Sequence, residues 1–333
     1  MRQAPRLSLI IPTRGDDAQL MRLAAAIERQ TLAPERFQRI VVLDGVAPSP
    51  MVLARLGAVD AAVVKLPERS GPGAARNAGA RQARGEFLAF SEDDVTPAGD
   101  WLERALARLD ADPGIDVLEG VTVKPGGRPV RTLAAEGASW IPTNLFVRRS
   151  LFERVGGYHE GYFDGARGIY FREDSDLGFM LEEAGARVAR APDVVVTHPD
   201  EHTGYLDPLR WARRYEMDAL LAARHPARFR ERIEVHRLGP FTVRRPIVRA
   251  AVMCVLAFAA AMIAWLLRER ALVPPLLLLA AVAFVPIWAK WRFSPLRLPV
   301  VLLVPFALVA ALVRGRARVP LSTRSRPGTR ART

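Results

Sequence analysis

Three consecutive acids, Glu92-Asp93-Asp94, directly follow the apolar run of residues 87–90. Such a run predicts a buried strand, so the acids are expected at its carboxyl end, where open α/β sheets bind ligands. Neighbouring carboxylates repel one another, and a divalent cation that carries a phosphorylated ligand would relieve that repulsion. The alternative is a solvated loop whose acids lie close to a helix that begins near residues 97–98.

A second acidic cluster, Glu173-Asp174-Ser175-Asp176, opens a helix that the sequence predicts over residues 175–184. Acids in the first turn of a helix are favoured by the helix dipole, which is a purely structural explanation. The functional alternative is that one of these carboxylates projects into a cleft and removes the proton of an acceptor hydroxyl as a general base.

The turns after the first two predicted strands carry polar residues that can face the same sheet edge. The first strand ends in Pro12-Thr13-Arg14, and the second ends at Asp44. Asp44 can accept a hydrogen bond from a nucleobase N–H, and Arg14 can stack on a base or pair with a phosphate. Each signal is weak alone, because an Asp-Gly pair after a strand is usually just a turn.

The glycine-rich stretch 71–79 leads into a predicted helix over residues 73–83 and contains Arg76 and Asn77. It is not the dinucleotide-binding fingerprint, because Arg76 stands where the third glycine belongs. Arg76 and Asn77 lie about one helical turn past the glycine entry, where they can face a nucleotide. The alternative is an ordinary helix start that packs through Gly and Ala.

Two further features are candidates for binding a sugar or a metal. Trp140 and Asn144, with the turn at residues 155–158, offer an aromatic platform and a flexible turn for a sugar ring, although Trp140 can equally be a core residue. His198 follows a predicted strand over residues 194–196. It is a candidate metal ligand or phosphate donor, against the alternative of an unligated histidine at a strand end.

The elements that must position these residues alternate along the first part of the chain. Short apolar runs predict strands, and the stretches between them predict helices. The predicted strands lie at 7–11, 40–43, 61–66, 87–90 and 194–196, and the predicted helices at 16–30, 50–56 and 73–83. Near-continuous apolar strands separated by helices indicate an α/β fold, with a mostly parallel sheet that helices cover on both faces.

The last part of the chain is apolar and basic. Three uncharged segments, 250–267, 271–289 and 298–313, predict a membrane region. The net charge is +13, and residues 314–333 hold seven arginines and no acid. No nucleic-acid motif accompanies this charge, so we expect it to face anionic membrane lipids rather than nucleic acid. We favour a hairpin of the first two segments with the third interfacial or re-entrant, which keeps the arginine-rich tail cytoplasmic.

The single cysteine, Cys254, lies inside the first apolar segment, which indicates a reducing compartment. The apolar run at the N-terminus is too short for a signal peptide and ends at Pro12. We therefore expect a multi-pass protein of the inner membrane, in which residues 1–200 form a domain that faces the cytoplasm and residues 201–249 form an amphipathic, basic juxtamembrane region.

Taken in order, these motifs resemble the family 2 glycosyltransferases with a GT-A fold. The resemblance covers residues 7–200, and its motifs are common singly but specific together. The matching stretches are Leu9-Ile10-Ile11-Pro12-Thr13, Val42-Leu43-Asp44-Gly45, Gly73-Ala74-Ala75-Arg76-Asn77-Ala78-Gly79, Gly85-Glu86-Phe87-Leu88-Ala89-Phe90-Ser91-Glu92-Asp93-Asp94, Val155-Gly156-Gly157-Tyr158 and Glu173-Asp174-Ser175-Asp176-Leu177.

The resemblance implies a nucleotide-diphosphate-sugar donor, a Mg²⁺ or Mn²⁺ ion and inversion at the anomeric carbon. It assigns Asp44 to the nucleobase, Asp94 to the metal, and Asp174 to the role of general base with Glu173 in support. The expected donor-binding residues are Pro12, Thr13, Arg14, Asp44, Arg76, Asn77, Glu92 and Asp93, and the expected metal ligands are Asp94, Glu92 and His198.

Some departures from the family pattern bear on these roles. Arg14 replaces the aromatic residue common after Pro-Thr, and the acid triplet begins with Glu92 rather than Asp. Processive members carry Gln-x-x-Arg-Trp before their membrane helices, and only Arg210 and Trp211 of that motif are present here. This indicates transfer of single sugars rather than polymerisation. The expected acceptor-binding residues are Trp140, Asn144, Arg210 and Trp211.

The expected activity is transfer of a sugar to a hydroxyl of a lipid-linked or surface-glycan acceptor at the cytoplasmic membrane face. Nucleotidyl transfer on a related sheet is one alternative, but it would normally require a glycine-rich basic loop, and residues 12–17 hold only Gly15 and Arg14. Another alternative is a non-catalytic membrane scaffold with a degenerate transferase domain.

Overall fold

The computed structural model describes residues 4–128, 130, 140–200, 204–238 and 241–319. The chain divides into two compact units, Met1–Glu201 and His202–Thr333. The part of the predicted arginine-rich tail at residues 320–333 lies outside the described residues.

The first unit alternates strands and helices, as the sequence predicts. Its strands are β1 (Leu7–Thr13), β2 (Phe37–Asp44), β3 (Ala61–Leu66), β4 (Phe87–Phe90), β5 (Thr96–Pro97), β6 (Val117–Val123), β7 (Leu145–Arg148), β8 (Phe163–Asp164), β9 (Ile169–Tyr170) and β10 (Val188–Thr197). Its helices are α1 (Asp17–Glu28), α2 (Pro50–Ala58), α3 (Pro72–Arg81), α4 (Trp101–Ala111), α5 (Arg149–Val155) and α6 (Glu173–Glu183).

Eight of these strands form one mixed sheet in the order β3-β2-β1-β4-β7-β6-β10-β5. β1 pairs in parallel with β2 and β4, β2 with β3, and β6 with β10. β7 runs antiparallel to both of its neighbours, and β5 runs antiparallel to β10. The other six strands therefore point the same way, and their carboxyl ends meet at one edge, which confirms the predicted mostly parallel sheet.

Side chains alternate between the two faces of the sheet, and each face has its own core. On β1, Leu7, Leu9 and Ile11 pack with α1, α2 and α4, whereas Ile10 packs with α3, α5 and α6 on the opposite face. All four side chains are buried. Burial of an aliphatic side chain stabilises a fold by about 1.5–3 kcal/mol, so the continuous apolar runs of the sequence are explained by a sheet covered on both faces.

Helix α3 packs unusually close to the sheet because two of its positions lack a side chain. A Cβ atom on Gly79 would lie 2.5 Å from Ile10 Cγ2 and 3.1 Å from Val42 Cγ2. A Cβ atom on Gly73 would lie 3.2 Å from the Cβ of Tyr158. The glycines thus set the height at which Arg76, which lies between them, stands above the sheet.

The second unit is mostly helical. Its elements are α7 (Asp207–Arg214), α8 (Asp218–Arg224), α9 (Pro226–Arg228), a π-helix (Phe229–Ile233), the hairpin β11 (Val235–Leu238) and β12 (Phe241–Arg244), α10 (Pro246–Leu266), α11 (Val273–Lys290), α12 (Leu298–Val301) and α13 (Val304–Arg318). Three helical stretches, Pro246–Leu266, Arg270–Lys290 and Leu298–Arg318, are long and apolar enough to cross a membrane, with mean hydropathies of 2.4, 2.2 and 2.2. They overlap the three predicted apolar segments.

The close approach of α3 generates a matched pair of substitutions. Gly79→Ala should lower the thermal unfolding midpoint of the full-length protein in detergent, because its methyl group would overlap Ile10; overpacking of this kind costs about 1–3 kcal/mol. Gly57→Ala in α2 meets no atom within 4 Å, and it should leave the midpoint unchanged or raise it, since alanine favours helices over glycine by about 1 kcal/mol. Equal midpoints for the two variants would contradict the packing described for α3.

Candidate active site

The carboxyl edge of the sheet gathers residues that are far apart in sequence. β1 ends at Thr13, β2 ends at Asp44, and β4 is followed by the acid triplet at residues 92–94. β10 ends at Thr197, directly before His198. Because these four strands point the same way, their polar ends share one edge, as the sequence predicts.

The three acids of the triplet have different surroundings. Glu92 accepts a hydrogen bond from Thr143 Oγ1 at 2.9 Å and lies 3.3 Å from Arg76 Nη2. Asp93 accepts a hydrogen bond from the Thr13 hydroxyl. Burial raises the pKa of the Asp93 carboxyl above its usual range, although the hydrogen bond from Thr13 opposes that rise. The side chain of Asp94 is 44% exposed. The triplet is therefore only partly solvated.

Glu92, Asp94 and His198 form a cluster that can hold a metal ion. One ligand atom from each residue lies within 4.8 Å of the others. His198 Nε2 is 3.9 Å from Glu92 Oε2 and 3.8 Å from Asp94 Oδ2. The structure thus brings together the three residues that the sequence analysis named as metal ligands.

The hydrogen bonding of His198 suits a metal ligand. Its Nδ1 lies 2.8 Å from the carbonyl oxygen of Pro199. A carbonyl only accepts hydrogen bonds, so Nδ1 of the neutral ring carries the proton and the lone pair of Nε2 points towards the two carboxylates. Such a hydrogen bond on the far nitrogen commonly orients metal-binding histidines. Two carboxylates and an imidazole fit Mn²⁺, and the carboxylates also fit Mg²⁺.

The second acidic cluster begins helix α6. Arg172 precedes it in the left-handed conformation, with φ of 78°, and Asp176 is fully buried, where it accepts a hydrogen bond from the Tyr162 hydroxyl at 2.8 Å. Asp174 is half-buried and accepts hydrogen bonds from the backbone N–H and the hydroxyl of Ser175, at 2.6 and 3.2 Å. Asp176 is therefore structural, whereas the Asp174 carboxylate stays partly accessible.

Glu173 has an unusual protonation equilibrium for a carboxylic acid. Its side chain is 12% exposed, and Arg76 Nη1 lies 4.0 Å from its Oε1. Burial, followed by the charge of Asp174, raises the pKa of Glu173 to about 7, while Arg76 opposes the rise. Glu173 therefore exchanges a proton near neutral pH.

Arg76 connects the two acidic clusters. It is 2% exposed, pairs with Glu92 and Glu173, and lies above the ring of Tyr158 at 5.3 Å from the ring centroid. Burial raises the pKa of the Tyr158 hydroxyl, which keeps that group neutral. Among the residues that the structure describes, the buried Nε and Nη1 atoms of Arg76 have no hydrogen-bond partner. Buried donors of this kind are costly unless a ligand satisfies them.

Two expected nucleotide-binding residues, Asp44 and Asn77, make hydrogen bonds within the fold. Asn77 donates to the carbonyl of Tyr158 at 2.8 Å and accepts from its N–H at 2.9 Å. Asp44 accepts from the backbone N–H groups of Ser70 and Gly71, at 2.6 and 3.1 Å. Asp44 keeps further lone pairs, because a carboxylate can accept about four hydrogen bonds. The side-chain amide of Asn77 fixes the turn at Tyr158 through its two hydrogen bonds.

Trp140 and Asn144, which were expected to contact an acceptor, are both core residues in the described part of the chain. Asn144 is 1% exposed, accepts from Trp101 Nε1 at 2.8 Å and donates to the carbonyls of Val121 and Val194. Trp140 is buried against Gly178, where an added Cβ would lie 2.3 Å from the indole. A ring enclosed in this way has no face for a sugar.

The other two expected acceptor residues, Arg210 and Trp211, belong to the second unit. Arg210 pairs with Asp207 at 3.1 Å and is 68% exposed. Trp211 packs edge-on against Tyr215, with ring centroids 4.9 Å apart, and Lys290 lies 4.5 Å from its ring centroid. Trp211 is therefore part of an aromatic cluster, and Arg210 remains accessible.

Thr143 is a site residue that the sequence analysis missed. β7 runs antiparallel to β4, and Leu145 pairs with Phe90. Two residues before Leu145 and two residues after Phe90 therefore lie side by side, which places Thr143 against Glu92. Only the pairing register reveals this contact, because no local pattern marks β7 as the neighbour of β4.

Comparison with known proteins agrees with this geometry. The model of the family described as glycosyl transferase family 2 matches residues 8–178, more than half of the chain and a span that includes both acidic clusters. The pre-mycofactocin glycosyltransferase of Mycobacterium tuberculosis is 30% identical over 243 residues, which are 66% of this chain and 48% of that protein. The chain thus spans about half the length of that relative. Glycosyltransferase AglE of Haloferax volcanii is 26% identical over 223 residues, 61% of this chain and 69% of that protein.

A solved structure has the same fold. The mannosyltransferase PcManGT from Pyrobaculum calidifontis, determined in complex with GDP-Man and Mn²⁺, superimposes with a TM-score of 0.54 at 20% identity, over 94% of this chain and 87% of that one. This similarity confirms the predicted GT-A architecture. The match over residues 8–178 establishes the family: the chain belongs to glycosyl transferase family 2.

Proposed function

We propose that the chain is a metal-dependent, inverting glycosyltransferase anchored in the cytoplasmic membrane with its catalytic unit facing the cytoplasm. It transfers a single sugar from a nucleotide-diphosphate-sugar to a hydroxyl of a lipid-linked or surface-glycan acceptor. The observation that carries the proposal is that the cluster of Glu92, Asp94 and His198 and the acids Glu173 and Asp174 lie on either side of one buried guanidinium.

The first acidic cluster and Arg76 bind the donor in this proposal. Glu92, Asp94 and His198 would hold Mn²⁺ or Mg²⁺, which neutralises charge on a departing diphosphate. The unsatisfied donors of Arg76 supply hydrogen bonds to the anionic donor. Asp44 accepts a hydrogen bond from the base through its remaining lone pairs, and exposed Arg14 lies near the same edge. The P. calidifontis protein binds GDP-Man and Mn²⁺, which agrees with this division.

Asp174 is the proposed general base. It accepts the proton of the acceptor hydroxyl while the hydroxyl oxygen bonds to the anomeric carbon and the bond to the diphosphate breaks on the opposite face, so the configuration inverts. Ser175 orients the Asp174 carboxylate through two hydrogen bonds. Glu173, buried beside it, supports Asp174 electrostatically, and Arg76 limits the mutual repulsion of the two acids.

Acceptor recognition rests on fewer residues than the sequence suggested. Trp140 and Asn144 are buried, so we assign acceptor binding to Arg210, an exposed residue that precedes the apolar helices. The membrane helices would hold the enzyme at the surface where a lipid-linked acceptor lies. A thermal-shift screen of nucleotide sugars, with and without Mn²⁺, identifies the donor; a chain that binds no nucleotide diphosphate in the presence of metal would be a scaffold rather than an enzyme.

Metal binding provides a direct test of the first cluster. The purified protein should bind Mn²⁺ more tightly than Mg²⁺, because the imidazole is the softer ligand. Asp94→Asn and His198→Ala should each weaken Mn²⁺ binding, measured by calorimetry, by at least the ~10-fold that loss of even an outer-shell partner costs. Asp112→Asn is the matched control, since Asp112 pairs with Arg187 at the amino edge of the sheet. Equal losses in all three variants would refute the metal site.

Asp174→Asn tests the base. The variant should bind the donor identified by the screen as the wild type does, because the carboxamide keeps the shape of the side chain. Its transfer rate should fall by about 10²–10⁴-fold, the usual contribution of a general base. Glu183→Gln, at the exposed far end of the same helix, is the control. Wild-type transfer by Asp174→Asn would remove the base assignment.

The raised pKa of Glu173 predicts a specific pH dependence of stability. The folded protein holds the Glu173 proton up to about pH 7, whereas the unfolded chain releases it near pH 4.5, so this group stabilises the fold below pH 4.5 and that contribution is lost as pH rises through 7. The loss is on the order of 3 kcal/mol. Glu173→Gln should therefore show a smaller fall of the unfolding midpoint between pH 4.5 and pH 8 than the wild type. Glu153→Gln, at an exposed acid, should behave as the wild type, and an unchanged profile in Glu173→Gln would contradict the assignment.

A further inference from the structure

Two buried acids of the second unit, Glu216 and Asp218, hold the ends of two different apolar helices. Both residues are 2% exposed. Asp218 pairs with Arg245, the residue directly before α10. Glu216 pairs with Arg314 at 3.4 Å and with Arg318 at 2.8 Å, at the end of α13. Removing one partner of a buried ion pair leaves an uncompensated buried charge, so the start of α10 and the end of α13 are fixed to the same short stretch of chain.

The end of α13 also packs backbone to backbone against that stretch. A Cβ atom on Gly315 would lie 2.2 Å from the carbonyl oxygen of Glu216 and 3.2 Å from the Cβ of Ala219. Gly315 itself is buried. Such an approach is possible only at a glycine, so the contact of α13 with residues 215–219 is specific rather than incidental.

The beginning of the third apolar stretch, Leu298–Arg318, lies against α7, which ends just before residues 215–219. The short helix α12 contacts α7, and Val301 belongs to one buried cluster with Ala212. Helix Leu298–Arg318 is about 30 Å long, close to the thickness of the hydrocarbon core. The end of that helix pairs with Glu216, two residues before the acid that holds the start of α10, and α12 at its beginning contacts α7, which ends two residues before Glu216. Both of its ends are therefore attached to residues 207–218, whereas a crossing helix would hold its ends on opposite membrane faces.

The first two apolar helices behave differently. Ala250 and Ala251, at the start of α10, share a buried cluster with Ile287, near the end of α11. The two helices also pack on each other farther along, through Ala257 and Ala283. This is the arrangement of an antiparallel hairpin, which leaves one face through α10 and returns to it through α11.

We infer that the chain crosses the membrane twice, through α10 and α11, and that α12 and α13 insert into one leaflet without crossing. The leaflet is the one at which α10 begins. The ring of Phe306 contacts that of Phe258, in the middle of α10, with centroids 5.7 Å apart, so α13 dips into the acyl region. Its exposed apolar side, which includes Val313, contacts acyl chains.

The consequence is that the arginine-rich end of the sequence emerges on the face where α10 begins. Arginines on that face interact with anionic lipid headgroups. A third crossing would place the seven arginines of residues 314–333 on the opposite side. The inference rests on contacts within the membrane unit and is independent of the proposed sugar transfer.

Site-directed labelling of the full-length protein in its membrane tests the number of crossings. In a Cys254→Ala background, single cysteines replace exposed Thr242 before α10, exposed Glu269 between α10 and α11, or Thr323 in the tail. A membrane-impermeant maleimide added from one side should label Thr242→Cys and Thr323→Cys together, and label Glu269→Cys only from the other side. Labelling of Thr323→Cys from the same side as Glu269→Cys would overturn the inference.

A second experiment tests whether the ion pairs of Glu216 hold α13 in place. Glu216→Gln should loosen α13, so a cysteine at buried Leu308 should react with a membrane-permeant maleimide several-fold faster than in the parent. Glu231→Gln, an exposed acid of the same unit, is the control and should leave the rate unchanged. If Glu216→Gln is not recovered in the membrane, Arg318→Gln removes one of the two pairs instead. Unchanged labelling in the recovered variant would show that the ion pairs do not hold α13 in place.

Discussion

The active site depends on one buried cation among several carboxylates. Acids gathered at a single sheet edge lose hydration and repel one another, which raises the free energy of the folded chain. Arg76 offsets this by pairing with Glu92 on one side and Glu173 on the other. Its position follows from packing, because Gly79 lets α3 approach the sheet and Gly73 lets it approach Tyr158, closely enough for the guanidinium to reach both acids.

The same guanidinium links stability to ligand binding. Its buried Nε and Nη1 atoms have no hydrogen-bond partner in the described part of the chain. Burying these donors without partners raises the free energy of the folded chain, and an anionic donor substrate that accepts their hydrogen bonds would remove that cost. Glu173 is similar, since it is kept largely protonated below neutral pH by burial and by Asp174. Groups whose charges are incompletely balanced without a ligand are common where substrates bind.

Buried charge also determines the organisation of the membrane unit. The three apolar helices resemble one another in length and hydropathy, and composition alone cannot distinguish a crossing helix from one that inserts into a single leaflet. In the topology that we infer, the distinction comes from Glu216 and Asp218, which are too costly to bury without their arginines and therefore tie two helix ends to one place.

Local patterns in the sequence predicted the strands but not their full extent. β10 was expected only at residues 194–196, whereas it runs from Val188 to Thr197. Exposed Arg190 and its neighbours interrupt the apolar run, and a register shift between Ala191 and Val195 divides the pairing with β6 without ending the strand. Helix α6 begins at Glu173 rather than at residue 175. β7 is not among the predicted strands, and a 3₁₀ turn over Pro142–Asn144 directly precedes it. Hydrophobic periodicity reports which face a residue occupies and is a weak guide to where backbone pairing ends.

By itself, the sequence determined the fold class, the family and the sheet edge that carries the acids, because apolar runs and the residues that follow them are local features of the chain. The tertiary structure decided which of those polar residues lie in the core and which contact one another at the site. Asn144 lies in the core, Thr143 contacts Glu92, and His198 meets Glu92 and Asp94. These outcomes depend on the register between β4 and β7 and on the placement of β10 beside β6. Strand pairing brings together residues about a hundred positions apart, and no local pattern encodes that distance.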